Sequence, residues 1–232
     1  MTDPAANSSS ETLGYTLWAV FRRDFSRDAV GSTTPAGDLA AAVAEVEASG
    51  VVVRGFYDVS GLRADADIMV WLTGTGVAPE ALQSALRTLR RAEPIASLLP
   101  VWNAMGVHRD AEFTASHLPA FMRGKDPEAW LTVYPFVRSY DWYILPDDER
   151  RQMLADHGRK GAAHRTVLSN TVASFALGDY EWILALEAPE LVELVDLMRD
   201  LRQTEARRHV REEVPFYTGR RIALDEIAEV LT

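Results

Sequence analysis

Residues 79–93 read PEALQSALRTLRRAE, and residues 191–205 read LVELVDLMRDLRQTE. The first stretch opens on proline, as the first turn of a helix allows, and then repeats Leu82, Leu86 and Leu89 on one face. A shift of 112 positions lays Leu82, Leu86, Arg87, Leu89, Arg90 and Glu93 on Leu194, Met198, Arg199, Leu201, Arg202 and Glu205. Any two amphipathic helices share an apolar stripe. Sharing the arginines and the closing glutamate as well points to an internal duplication. The same shift lays Asp67 on Asp179.

The flanks of the two copies agree with this. Before and after the first copy come strand-like 15–25, alanine-rich helical 38–48 stopped by Gly50, strands 51–62 and 67–75, and strand 98–108. That order, strand–helix–strand–strand–helix–strand, is ferredoxin-like. The second copy sits in a similar series. Strand 129–145 leads to helix 148–160 with Asp147 as its N-cap, strands 166–177 and 179–187, helix 189–210, strand 215–222 and a small terminal helix, LDEIAEVL. The expected fold is therefore α+β, with ferredoxin-like repeats at 13–107 and 129–232 whose open sheet faces pack into a dimeric α+β barrel within one chain. Residues 1–12 read as a polar, disordered leader. Residues 108–128 form an irregular connector, long for a compact fold and suited to a binding loop.

Composition narrows the function. The 232 residues include 34 acidic and 24 basic side chains, for a net charge of −10, so nucleic acid is an unexpected partner. With no cysteine there is no disulfide, thiolate metal site or thiol catalysis. No apolar run reaches the ~18–20 residues of a membrane span. The N-terminus lacks the basic and apolar regions of a secretory signal, so a cytoplasmic protein is expected.

Four features could carry chemistry. In YPFVRSYDWY, 134–143, strand alternation puts Tyr134, Phe136, Arg138, Tyr140 and Trp142 on one face. Tyr134 and Arg138 would lie about 13 Å apart along the strand. An internal salt bridge would satisfy the arginine; so would a large ligand with carboxylates. His157 shares a helix face with Met153, as a packed histidine does, yet a single imidazole also suits haem, where a porphyrin supplies the other nitrogens. His117, in the connector, is either a loop histidine or a general base held over a site. The arginine-rich segment RQTEARRHVREE, 202–213, reads as a solvated helix end or as a carboxylate-recognition cluster.

Taken together, YPFVRSYDWYILPDDERRQMLADHGRKG and the run from SNTVASF to VPFYTG resemble the chlorite dismutase-like superfamily, and within it the coproheme decarboxylases of actinobacterial type. The similarity covers nearly the whole chain from about residue 13 and is densest over 117–219. It implies a homopentameric ring and a reaction in which hydrogen peroxide drives loss of two propionate carboxyls from iron coproporphyrin III, giving haem b. The iron porphyrin would be both substrate and redox cofactor, and the upstream ferrochelatase a transient partner. Matched position by position, His157 corresponds to the iron ligand, Tyr134 to the radical-forming tyrosine and His117 to the distal base. Arg138 corresponds to a basic residue beside a propionate and Trp142 to an aromatic near the second reactive one; the resemblance implies a further propionate contact, assigned to Arg207 with its neighbours Arg208 and Arg211 as alternatives. Chlorite-degrading members carry a distal arginine near SNTVASF; this chain has none between Arg165 and Arg199.

Overall fold

The computed structural model describes residues 13–26, 37–109 and 118–232. The strand β1 (Gly14–Arg22) shows how the layers arise. Its odd residues Leu17, Ala19 and Phe21 belong to one apolar cluster, and its even residues Trp18 and Val20 to another. A strand buried on both faces must have something packed on each. Here one face takes helices and the other closes on the sheet itself.

The remaining strands are β2 (Gly37–Asp38), β3 (Val52–Asp58), β4 (Ile68–Thr75), β5 (Ala92–Glu93), β6 (Leu99–Val107), β7 (Trp130–Arg138), β8 (Leu168–Ala173), β9 (Trp182–Ala188), β10 (Val210–Glu212) and β11 (Tyr217–Ile222). Helices are α1 (Leu39–Ala48), α2 (Pro79–Leu89), α3 (Asp147–Gly161), α4 (Leu191–Leu201) and α5 (Ile227–Val230). The large sheet runs β7-β11-β3-β4-β1-β6-β8-β9, and β9 pairs back onto β7, so the barrel closes as the sequence led us to expect. In each half the second, third, first and fourth strands lie side by side: β3-β4-β1-β6 and β8-β9-β7-β11.

The halves meet at two seams of the same kind, each joining the fourth strand of one half to the second strand of the other. Val107 of β6 pairs with Ala173 of β8, and Arg220–Ile222 of β11 pair with Asp58–Phe56 of β3. A glycine sits at each. A Cβ on Gly219 would lie 2.6 Å from the Asp58 carbonyl oxygen, and one on Gly106 would collide with the Val172 side chain. Inside the barrel, Trp18, Tyr57, Met69, Trp71, Leu131 and Ile183 form the apolar core. One ion pair crosses it: Arg54 of β3 donates to both carboxylate oxygens of Glu187 on β9, at 2.7 and 3.2 Å. Asn170 of β8 donates to the same carboxylate at 2.9 Å, and Arg54 also donates to the Lys125 carbonyl in the connector at 2.9 Å.

Several boundaries depart from expectation: strands 15–25, 51–62 and 166–177 stop early, at Arg22, Asp58 and Ala173, and three further departures bear on the site. Strand 129–145 ends at Arg138; the chain then folds into a short 3-10 turn over Trp142–Ile144, with the Trp142 amide bonded to the Ser139 carbonyl at 3.1 Å. Tyr140 is 80% exposed and Trp142 is fully buried, so the two do not share a strand face. The helix expected over 189–210 stops at Leu201, and Glu205–His209 form a separate 3-10 turn that feeds β10. Asp147 is the first residue of α3 rather than its cap, which is Pro146; with Asp148 and Glu149 it places negative charge on the helix N-terminus.

The two halves differ in how their helices pack. The first helix pair buries Leu39, Ala42 and Val46 from α1 and Leu82, Ala85, Leu86 and Leu89 from α2. In the second pair α4 buries Leu194 and Leu197, while Met198 and Leu201, matching Leu86 and Leu89, stay half-exposed. No residue of α3 is buried. The second half holds its helices less closely over the sheet, and the candidate site lies there.

Candidate functional site

The outer face of β7 forms one wall. Tyr134 is buried, its ring stacked on Phe216 at 4.4 Å and its hydroxyl 3.5 Å from the Met198 sulfur. Burial drives the phenol pKa far above its ordinary value. The Glu213 carboxylate adds to the rise, and Arg202 and Arg207 oppose it. The phenol is therefore fully protonated near neutrality.

Farther along, the Arg138 guanidinium lies 4.1 Å from the Trp142 ring centre and 4.9 Å from that of Phe136, both within cation–π range. His209 tilts against Trp142 at 5.4 Å, and its Nδ1 is 2.9 Å from the Ser139 hydroxyl. Thus Trp142 reaches the wall through the turn after β7, not through strand alternation.

His157, on α3, faces the same wall. Burial chiefly, and the positive charge of Arg138, lower its pKa; Glu213 partly offsets them. The imidazole is neutral at neutral pH. Its Nδ1 lies 3.5 Å from the Thr204 hydroxyl, which donates to the Leu201 carbonyl at 3.0 Å. With Nδ1–H directed to that oxygen, Nε2 carries the free lone pair. Among the described residues no three His, Asp or Glu side chains gather as a metal site. A lone imidazole of this kind holds iron only where another group supplies the remaining donors, as a porphyrin does.

The arginine-rich segment divides. Arg202 and Arg207 both reach Glu213, at 2.7 Å each. Arg208 pairs with Glu205 at 3.1 Å, and Arg211 covers the exposed Tyr140 ring at 4.3 Å. Glu213 pairs with Arg207 and acts on both Tyr134 and His157, while Arg138 acts on His157 and covers Trp142, so the five lie around one region. His117 lies outside the described residues.

Several neighbours escaped the reading of the sequence. Met198, Thr204, His209, Glu213 and Phe216 come from segments distant in sequence from β7. An aromatic row also continues the wall: Phe136 to Trp182 at 6.3 Å, Trp182 to Phe175 at 5.5 Å, and Phe175 to Tyr143 at 6.1 Å. The Tyr143 hydroxyl accepts from the Trp182 indole at 3.1 Å and donates to Glu181 at 2.9 Å. The aromatic density of 134–143 and 175–182 was the available signal.

Comparison with known proteins places this geometry. The family described as chlorite dismutase matches residues 33–222. The chain is 50% identical over 224 residues to the coproheme decarboxylase of Mycolicibacterium smegmatis, covering 96% of this chain and 95% of that protein. It is 23% identical over 184 residues to the coproheme decarboxylase of Staphylococcus carnosus, covering 72% of each. Among solved structures, a chlorite dismutase variant from Candidatus Nitrospira defluvii superposes with a TM-score of 0.76 at 21% identity, over 96% of this chain and 97% of that one, and so shares the fold. The chain belongs to the chlorite dismutase family.

Proposed function

We propose that the protein is a hydrogen peroxide-dependent coproheme decarboxylase, converting iron coproporphyrin III to haem b. The observation that carries the reading is the wall itself. A neutral imidazole, a protonated buried phenol and arginines converge on one sheet face, in a chain half identical to a named coproheme decarboxylase. For each propionate, R–CH2–CH2–COO⁻ + H2O2 + H⁺ gives R–CH=CH2 + CO2 + 2 H2O. The propionate supplies two electrons and peroxide accepts them.

The bound iron porphyrin, with peroxide, supplies the oxidising equivalents. His157 would hold the iron through Nε2. Tyr134 would be the hydrogen-atom carrier: its phenol would give an electron and a proton to the peroxide-oxidised porphyrin, recover both from the propionate side chain, and the second electron would pass to the same oxidant as carbon dioxide leaves. Arg138 and Arg207 bind carboxylates. Trp142 flanks the second reactive edge, and His117 takes and returns the peroxide proton. In a chain of net charge −10, these arginines give a tetracarboxylate a local positive site.

The wider reading follows. The chain contains two ferredoxin-like repeats, supported by the shared strand order of the halves and the 112-residue correspondence. It acts in the cytoplasm as a homopentamer and receives coproheme from a ferrochelatase. Chlorite breakdown is the weaker reading, because β8, reading LSNTVA, offers no arginine.

Replacing the phenol tests the site. Tyr134→Phe should bind iron coproporphyrin III with the wild-type Soret spectrum yet release no carbon dioxide on peroxide addition. Decarboxylation at the wild-type rate would remove Tyr134 from the reaction.

A further inference from the structure

Glu213 is not needed by the roles above, yet it is the most heavily engaged carboxylate of the wall. It follows β10 in the link to β11, and its side chain is only 13% exposed. Arg202 reaches its two oxygens at 2.8 and 2.7 Å, and Arg207 reaches Oε2 at 2.7 Å. One guanidinium fork, from Arg202, and a second single guanidinium contact, from Arg207, on one carboxylate are an arrangement that recognises a carboxylate ligand. The same three charges are those that act on the Tyr134 phenol. A substrate carboxylate brought beside that phenol would meet these arginines.

We infer that Glu213 is an internal stand-in for the substrate: in the ligand-free protein its carboxylate occupies the propionate subsite formed by Arg202 and Arg207, and the reactive propionate beside Tyr134 displaces it. This rests on the proposed decarboxylase reading. It assigns Glu213 two effects. Before binding, it holds both guanidinium groups in position. After the propionate has become a vinyl group, which pairs with no arginine, Glu213 returns and the two charges are not left without a partner. The residue thereby separates substrate, which competes with it, from product, which does not.

Equilibrium titration of the ligand-free protein, without peroxide, tests this through Soret absorbance. Iron coproporphyrin III and haem b are titrated into wild type, Glu213→Gln and Glu213→Asp. Removing the competing charge should tighten coproheme binding in Glu213→Gln by about tenfold, the order of one charge-assisted contact. Haem b affinity should change less than about twofold. Glu213→Asp, which keeps the charge on a shorter arm, should fall between, and provides the readout should the glutamine variant fail to fold. Equal tightening for both porphyrins, or weaker binding of coproheme, would overturn the inference, since a merely structural ion cluster affects both ligands together. The parent reading fails separately, if wild type binds neither porphyrin.

Discussion

At the scale of single residues, protonation decides what the wall can do. His157 has a depressed pKa, so it offers a lone pair where an exposed imidazole would already be protonated. The unfolded chain then holds more protons than the folded one just below the ordinary histidine pKa of about 6.5, and stability falls as pH drops through that window. Glu187 works with the opposite sign, since burial raises its carboxyl pKa and its contribution is lost as pH rises. Comparing wild type with His157→Gln isolates the histidine. Urea midpoints of the ligand-free proteins should show a shallower loss in the variant between about pH 7 and 5.5. Parallel curves would mean that His157 is not desolvated.

The chemistry of most of these residues was legible in the sequence, but their geometry was less so. Tyr134 and Arg138 follow from alternation along β7. Trp142 reaches the wall for a different reason, because the 3-10 turn rather than the strand carries it there. Glu213 was invisible: a glutamate after a run of arginines reads as local neutralisation, and only the folded link between β10 and β11 brings it to the phenol.

At the scale of elements, the seams set the architecture. The 112-residue correspondence located α2 and α4 and both strand–helix orders. It could not say where helices yield to 3-10 turns, since hydrogen-bond partners at 202–209 come from the fold and not from periodicity. Nor could it foresee that α3 buries no residue fully and leaves Met153 and His157 only half-covered, because their spacing is equally that of a packed helix. Gly219 is the critical position at the β11–β3 seam, where a methyl would press on backbone that cannot rotate aside. Gly219→Ala should lower stability by about 1–3 kcal/mol, the usual cost of overpacking. Chemical denaturation measures it, and an unchanged midpoint would show that the seam has slack.

At the scale of the whole molecule, a closed barrel gives the second half a rigid sheet against which to hold a large flat ligand. The Arg54–Glu187–Asn170 cluster ties the halves and the connector together from inside, leaving the outer face of β7 free to differ from its counterpart on β1. There the first half fills its space with Leu17, Ala19 and Phe21 under the leucines of α2, and the second with a phenol, guanidinium groups and an imidazole. Patterning pointed to the barrel and the resemblance to the proposed ligand; neither alone pointed to the wall.

The central claim is that this wall decarboxylates coproheme. The direct measurement is mass spectrometry of the porphyrin after stepwise addition of peroxide to the protein loaded with iron coproporphyrin III, with carbon dioxide counted alongside. The account predicts loss of two carboxyl groups in succession, one carbon dioxide for each peroxide consumed, ending at the mass of haem b. Peroxide consumption with the four propionates intact, or bleaching of the porphyrin alone, would contradict it.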